Sequence, residues 1–304
     1  MAAGNVKRTA GSAALRPLAV GRRRGHSAAA PKGNRVADRL KIASWNVNSI
    51  RARLDHLERF VAEAAPDILC IQETRCPDGN FPLAAVRALG FPHVALNGRG
   101  GHHGVATASK RPLDGILAER FAMIDEPRHL AVSLPFAGAP LTIHNLYIPA
   151  GGDIPDPAVN PRFAAKLAFL DALVPWSAAT GALGRGVVVG DLNVAPLPDD
   201  VWSHRQLLDV VSHTPGETSR LDAVLAAGGW VDAVRAARPV PEKVFTWWSY
   251  RSREWQLANK GRRLDHLWVT ADLGPAVTAV EIVTGTRGWE RPSDHVPVVA
   301  GLAA

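Results

Sequence analysis

Cysteine is almost missing from this chain, which carries only Cys70 and Cys76. Two thiols supply neither a disulfide framework nor a paired zinc motif, so a reducing compartment is expected, namely the cytoplasm. A long apolar run is missing too. The longest stretch without acidic, Lys or Arg residues, His129 to Gly152, is broken by Pro135, Pro140 and Pro149 and contains His144 and Asn145. That excludes a span of about 20 apolar residues, and no membrane partner is expected. Acidic residues are absent before Asp38, whereas Lys7, Arg8, Arg16, Arg22, Arg23, Arg24, Lys32 and Arg35 all fall there. The formal charge of +7 therefore belongs to residues 1–37, and from Asp38 onward 27 basic residues face 28 acidic ones. The Ala, Gly, Ser and Arg of that leader bury too little surface to offset the entropy of ordering it, so a disordered basic arm is expected. An acid-free, Arg-rich leader also resembles an organellar transit peptide, and that alternative stays open. The remainder, 38–304, is expected to form one large domain.

From Leu40 onward, short β-rich runs end abruptly in polar residues. Leu40 to Ser44 leads into Trp45, Asn46, Val47 and Asn48; Asp67 to Gln72 leads into Glu73; Leu141 to Leu146 leads into Tyr147. Val187 to Gly190 leads into Asp191 and Asn193, Asp265 lies in the run Leu264 to Thr270, and Ser293, Asp294 and His295 precede Val296 to Val299. Helical patterns fall between them. Leu54, Leu57, Phe60 and Val61 share one face of Arg53 to Ala64, while Phe163, Leu167, Leu170 and Val174 share one face of Pro161 to Val174. Ser219 to Ala227 reads as a third helix closed by Gly228 and Gly229. Continuous apolar runs such as Val187-Val188-Val189 predict strands covered on both faces, hence a layered α/β architecture.

Several of these polar residues suit one chemistry. A carboxylate at a strand end, such as Glu73, is a ligand for a hard cation, which takes one or two protein carboxylates together with waters and phosphate oxygens. Taken singly, Glu73 reads equally as a surface residue opening a loop. Asp191 and Asn193 are placed to accept a proton from water and to aim it, although an Asx-turn closing the strand has the same sequence. An Asp such as Asp265 beside His295 fixes the imidazole tautomer and leaves its other nitrogen for a phosphate oxygen. A structural Asp–His pair would look alike. His102 and His103 have no Cys or acidic partner at ligand spacing and read as loop residues. Trp247, Trp248, Arg251 and Arg262 form an aromatic and cationic segment suited to nucleic-acid bases, though either tryptophan alone could equally be core.

Their joint order is what discriminates. Trp45-Asn46-Val47-Asn48, Gln72-Glu73-Thr74, Tyr147, Asp191-Leu192-Asn193, Asp265 and Ser293-Asp294-His295 together resemble the exonuclease III and apurinic/apyrimidinic endonuclease branch of the endonuclease/exonuclease/phosphatase superfamily. Ser49-Ile50-Arg51-Ala52-Arg53, Gly104-Val105-Ala106, Phe245 to Arg251 and Gly261 to Asp265 extend the similarity. The resemblance implies a four-layer α/β sandwich, with two mixed sheets face to face, helices outside and a site at one edge. It implies a metal-dependent monomeric DNA repair nuclease acting on duplex DNA with Mg²⁺, or Mn²⁺, by 3′-to-5′ exonuclease, abasic-site endonuclease or 3′-phosphatase chemistry. Catalytic roles would fall to Tyr147, Asp191, Asn193, Asp265 and His295. The metal site would draw on Asn46, Glu73, Asp191, Asn193, Asp294 and His295, and DNA contacts on Arg51, Trp247, Trp248, Arg251 and Arg262. Two positions depart from the family pattern: Ala150 stands where an Asn or Gln often helps hold phosphate, and Arg262 where some relatives place an aromatic. A superfamily phosphatase acting on an inositol phosphate or lipid headgroup is the enzymatic alternative. A catalytically dead DNA-binding module is the alternative from outside enzymology.

Overall fold

The computed structural model describes residues 38–252 and 254–304. The basic arm expected over residues 1–37 lies outside the described residues. Fourteen strands follow in chain order: β1 (Arg39–Asn46), β2 (Ile68–Gln72), β3 (His93–Asn97), β4 (Val105–Ser109), β5 (Gly115–Leu117), β6 (His129–Phe136), β7 (Ala139–Tyr147), β8 (Gly186–Asp191), β9 (Trp230–Asp232), β10 (Trp247–Trp248), β11 (Gly261–Arg262), β12 (Asp265–Thr270), β13 (Val277–Ile282) and β14 (Val298–Ala303). The helices are α1 (Leu54–Ala64), α2 (Leu83–Ala88), α3 (Pro161–Ala182), α4 (His204–Leu207), α5 (Pro215–Ala227), α6 (Ala233–Ala237) and α7 (Trp255–Ala258).

Twelve strands form two six-stranded mixed sheets, ordered β13-β14-β1-β2-β4-β3 and β5-β6-β7-β8-β12-β9, and β10 pairs with β11 apart from them. In the first sheet only β1 and β2 run parallel, and in the second only β7 and β8. Both parallel pairs sit at the centre of their sheets and need a crossover, which α1 and α3 provide.

Alternation along each strand sorts the core into layers. Val187 and Val189 pack between the sheets with Leu40, Ile42, Ile68, Ile143 and Leu267. Val188 faces the other way, onto Phe169, Leu170 and Leu173 of α3 and Leu221 and Val224 of α5. On the outer face of the first sheet, Ala43, Trp45, Leu69 and Ile71 meet Leu57, Phe60 and Val61 of α1. The expected two-sided burial and the sandwich are therefore both present.

Two helices run longer than the sequence pattern suggests. α3 continues through Pro175 to Ala182 instead of stopping at Val174. Pro175 lies on the exposed face, where water can satisfy the carbonyl that its missing N–H leaves open. α5 starts at Pro215, four residues before the expected Ser219, because Thr214 and Glu217 close a capping box around its first turn. Thr214-Pro215-Gly216-Glu217 carries that signal in the sequence. Among the described residues no helix is long and apolar enough to cross a membrane.

Three histidines are buried where a proton is poorly held. Burial lowers His129 to about 3, where the neighbouring His144 adds to the effect, and lowers His144 to about 4. Burial, with Arg263 alongside, lowers His266 to about 4. Unfolded His titrates near pH 6.5, so between that value and about pH 4 the unfolded chain binds protons that the fold refuses. Each such group should make stability fall with decreasing pH by up to about 1.4 kcal/mol per unit in that window, and contribute nothing above it. Urea midpoints should drop from pH 7 to pH 5, and His144→Asn should flatten the decline. A midpoint that does not move over that range would contradict this account.

Candidate active site

The ends of the two parallel pairs meet at one edge of the sandwich. Asn46 closes β1 and pairs in register with Gln72 at the end of β2, after which the chain turns at Glu73. In the second sheet, Tyr147 closes β7 opposite Asp191, the last residue of β8. β12 runs antiparallel to β8, so its first residue, Asp265, lies opposite Asp191. The sheets are tied together just beneath these ends, where Gln72 Nε2 donates to Asn145 Oδ1 at 2.7 Å. Gly190, at φ +139°, lets β8 approach β7, because a Cβ there would collide with the Leu146 carbonyl.

The turns themselves are strained. Asn48, Ser49, Glu73, Arg75 and Asn193 all have positive φ without being glycine, a conformation that costs on the order of 1–3 kcal/mol per residue and clusters at functional sites. Backbone bonds hold them in place. Ser49 N donates to Glu73 O at 2.9 Å and Arg75 N to His103 O at 3.0 Å.

Direct hydrogen bonds connect most of the expected residues. Asn46 Nδ2 donates to Glu73 Oε1 and to Asp191 Oδ2, both at 2.9 Å. Tyr147 Oη donates to Glu73 Oε1 at 2.8 Å. Asn193 gives Asp191 two bonds, its backbone N to Oδ1 at 3.0 Å and its Nδ2 to Oδ2 at 3.1 Å. His295 Nδ1 lies 2.8 Å from Asp265 Oδ2, and its Nε2 lies 3.6 Å from Asp191 Oδ2. With Nδ1 donating to Asp265, the imidazole sits between two buried carboxylates.

Charge in this enclosure is uneven. Burial raises Asp191, helped by Asp265 and Glu73 and opposed by His295 and Asn46, so the carboxylate becomes a better base than an ordinary Asp. Burial alone would lower His295, but Asp265, Asp191 and Asp294 outweigh it and raise its pKa well above the usual value. Burial raises Tyr147 well above 10, with Glu73 and then Asp191 adding to it, which keeps the phenol protonated as a donor.

A divalent cation fits this donor set. Glu73 and Asp191 bring two buried carboxylates to the same amide nitrogen, and Asp265 Oδ1 lies buried beside them without a hydrogen-bond partner. Oxygen donors without thiolate suit a hard ion; Cys70 and Cys76 are buried in the apolar clusters.

Three expectations need correction. Asn46, as placed, turns its amide nitrogen toward Glu73 and Asp191, and its Oδ1 accepts from Asn48 N at 3.0 Å. It brackets the carboxylates instead of offering an oxygen to a cation. Asp294 is turned toward Asn48 Nδ2, on Oδ1 at 2.9 Å, and Trp247 Nε1, on Oδ2 at 3.0 Å, and joins Asn46 by way of Asn48 instead of bonding Glu73 or Asp191. Trp248 is 3% exposed, wedged among Phe245, Val296 and Trp255, with Nε1 on Asn259 Oδ1 at 3.0 Å, and has no face to offer a base. Its neighbour Trp247 is half-buried and lies under the Arg262 guanidinium, 5.2 Å from the ring centroid. Arg51 and Arg251 are exposed, and Arg251 and Arg262 line the cleft.

Other residues had been given no role of their own. Arg75 clasps Glu73 Oε2 through Nε at 2.8 Å and also through Nη2. Arg128 stacks on Tyr147, its guanidinium 4.6 Å from the ring centroid. Ser293 Oγ donates to Asn46 O at 2.7 Å, and Trp45 Nε1 to His295 O at 3.1 Å. Trp45, Asn48 and Ser293 belong to the quoted motifs and Arg75 follows Glu73 by two residues, whereas Arg128 had no local signal. The site opens into a cleft of about 800 Å³ whose walls include Trp202, Trp247, Arg251, Lys260 and Arg262.

The model of the endonuclease/exonuclease/phosphatase family matches residues 43–295. The chain belongs to that family. Members of this metal-dependent family that are similar to the chain include exodeoxyribonuclease III of Haemophilus influenzae, 29% identical over 271 residues that span 86% of this chain and 99% of the relative. Among solved structures, an AP endonuclease from Archaeoglobus fulgidus is 32% identical with a TM-score of 0.78, covering 86% of this chain and 98% of the other. A 3′ phosphatase from Neisseria bound to product DNA hairpin is 29% identical with a TM-score of 0.77 over the same shares. Metal dependence in this family leads to a direct expectation for Glu73. Glu73→Gln should weaken divalent-cation binding, titrated calorimetrically on the purified protein, by about tenfold or more. Unchanged affinity would remove Glu73 from the metal site.

Proposed function

We propose that this chain is a metal-dependent DNA repair nuclease that hydrolyses phosphodiester bonds in duplex DNA, with 3′-to-5′ exonuclease, abasic-site endonuclease and 3′-phosphatase chemistry at one site. The observation that carries the reading is the buried cluster of Asn46, Glu73, Tyr147, Asp191, Asn193 and His295 at the floor of a cleft walled by Trp202, Trp247, Arg251, Lys260 and Arg262. A cationic and aromatic wall suits a phosphate backbone with bases beside it. Relatives named for DNA exonuclease, AP endonuclease and 3′ phosphatase activities support the same substrate class. The same proposal takes the enzyme to act as a monomer.

Glu73 and Asp191 are the residues that would hold Mg²⁺, or Mn²⁺. The bound ion neutralises phosphate charge and favours attack at phosphorus. Asp191, raised by burial, accepts the proton of the attacking water, while Asn193 and Asn46 fix the direction of its carboxylate. His295, kept protonated by Asp265 and Asp191, donates from Nε2 to a phosphate oxygen as negative charge builds there. Tyr147, held as a neutral phenol by burial, is placed to contact the same phosphate.

Asp191→Asn should lower turnover on duplex DNA by about 10²- to 10⁴-fold, the usual contribution of a positioned base, with little change in DNA affinity. A normal rate for that variant would defeat the mechanism. Incubating the protein with a duplex carrying one abasic site, beside a blunt undamaged duplex and a small phosphomonoester, with and without EDTA, tests substrate class. DNA should be cut far faster than the monoester, and chelation should stop the reaction until Mg²⁺ is restored. Comparable turnover of the monoester would favour a phosphatase instead.

A further inference from the structure

Beneath the cleft, a lysine and a glutamate are fully withdrawn from water. Lys166 of α3 and Glu217 of α5 are each 0% exposed, and Lys166 Nζ lies 2.5 Å from Glu217 Oε1. Burying two charges carries a desolvation cost that their attraction barely offsets, and apolar residues of similar volume often stabilise a fold as well or better. Stability alone is therefore a weak reason for the pair.

The rest of the ammonium group points at the site. Nζ donates to Asn193 O at 2.7 Å and to Ala150 O at 3.3 Å, which with Glu217 employs all three of its protons. Both carbonyls belong to segments lining the cleft, one following Tyr147 and the other containing Asn193 itself. The approach is close enough that a Cβ at Gly151, φ +89°, would lie 2.8 Å from Lys166 Cδ. Glu217 reaches in the other direction. Its oxygens accept from Ser212 N at 2.9 Å, Thr214 N at 3.1 Å and Thr214 Oγ1 at 2.8 Å. Ser212 is held at φ +86°; its carbonyl accepts from Ala195 N at 2.7 Å and its Oγ from Arg262 Nη1 at 2.8 Å.

We propose that Lys166 and Glu217 are a positioning pair for the reaction: Lys166 pins the Asn193 turn so that Asn193 Nδ2 stays on Asp191 Oδ2, and Glu217 holds Ser212, and through it Arg262, on the cleft wall. Neither residue touches the reacting atoms. The inference rests on the reading of Asp191 and Asn193 as the groups that handle the attacking water.

Steady-state kinetics on duplex DNA for Asn193→Ala, Lys166→Met and the double variant test it, with folding of each checked by circular dichroism. Asn193→Ala and Lys166→Met should each lower kcat by about tenfold or more, while KM shifts by less than about threefold. The double variant should be no slower than the slower single one, because a residue acting through Asn193 has nothing left to act on once that side chain is gone. A folded Lys166→Met with wild-type kcat, or a loss that multiplies with that of Asn193→Ala, overturns the proposal. Wild-type kcat in Asn193→Ala would instead overturn the reading of the site. Should Lys166→Met fail to fold, the isosteric Glu217→Gln carries the same measurement. It should lower kcat by about threefold or more, and an unchanged kcat overturns the proposal.

Discussion

A single amide nitrogen spans the sandwich at its working edge. Asn46 Nδ2 bonds Glu73 on its own sheet and Asp191 on the facing one. Two carboxylates held this way repel each other, and burial makes that repulsion stronger. The surrounding architecture compensates for it. Arg75 clasps Glu73 from one side, Tyr147 donates to it from another, and His295 stands beside Asp191 with Asp265 behind it. A bound cation belongs in the same arrangement, since it relieves the repulsion that the amide only bridges.

This constraint explains why the strained turns gather here. Glu73 takes the left-handed conformation directly after β2, and Asn193 takes it two residues past the end of β8. Bonds from Ser49 N to Glu73 O and from Asn193 N to Asp191 Oδ1 hold the two turns in that conformation.

Much of this was legible in the sequence, and the reasons can be traced residue by residue. Val187-Val188-Val189 announced a strand buried on both faces because alternate valines feed different layers, as the packing shows. The polar strand ends were visible because a carboxylate or amide directly after an apolar run has few reasons to be there. Trp248 was not legible, since a tryptophan beside an arginine reads the same in a core as on a binding face, and only burial separates the two. The full role of Asn46 was also hidden. An amide offers an oxygen and a nitrogen, and which one faces a carboxylate depends on Asn48 N occupying the oxygen. Lys166 lay inside the expected Pro161 to Val174 helix and Glu217 just ahead of the expected Ser219 start, and nothing local marks them as a pair, since they meet from segments 51 residues apart.

The order of pairing in the two sheets has a consequence of its own. Read from β13 to β3 and from β5 to β9, both sheets follow one scheme: antiparallel, antiparallel, parallel, antiparallel, antiparallel. The two sheets therefore share one pairing scheme, and the active site lies where their central strand ends face each other. Asn46 and Tyr147 end the first strand of each central pair, while Glu73 and Asp191 stand at the end of the second. Each sheet thus supplies one neutral donor and one carboxylate. The two carboxylates differ in their surroundings, since Arg75 clasps Glu73 whereas His295 stands beside Asp191, so matched strand ends present unlike charges to one cleft.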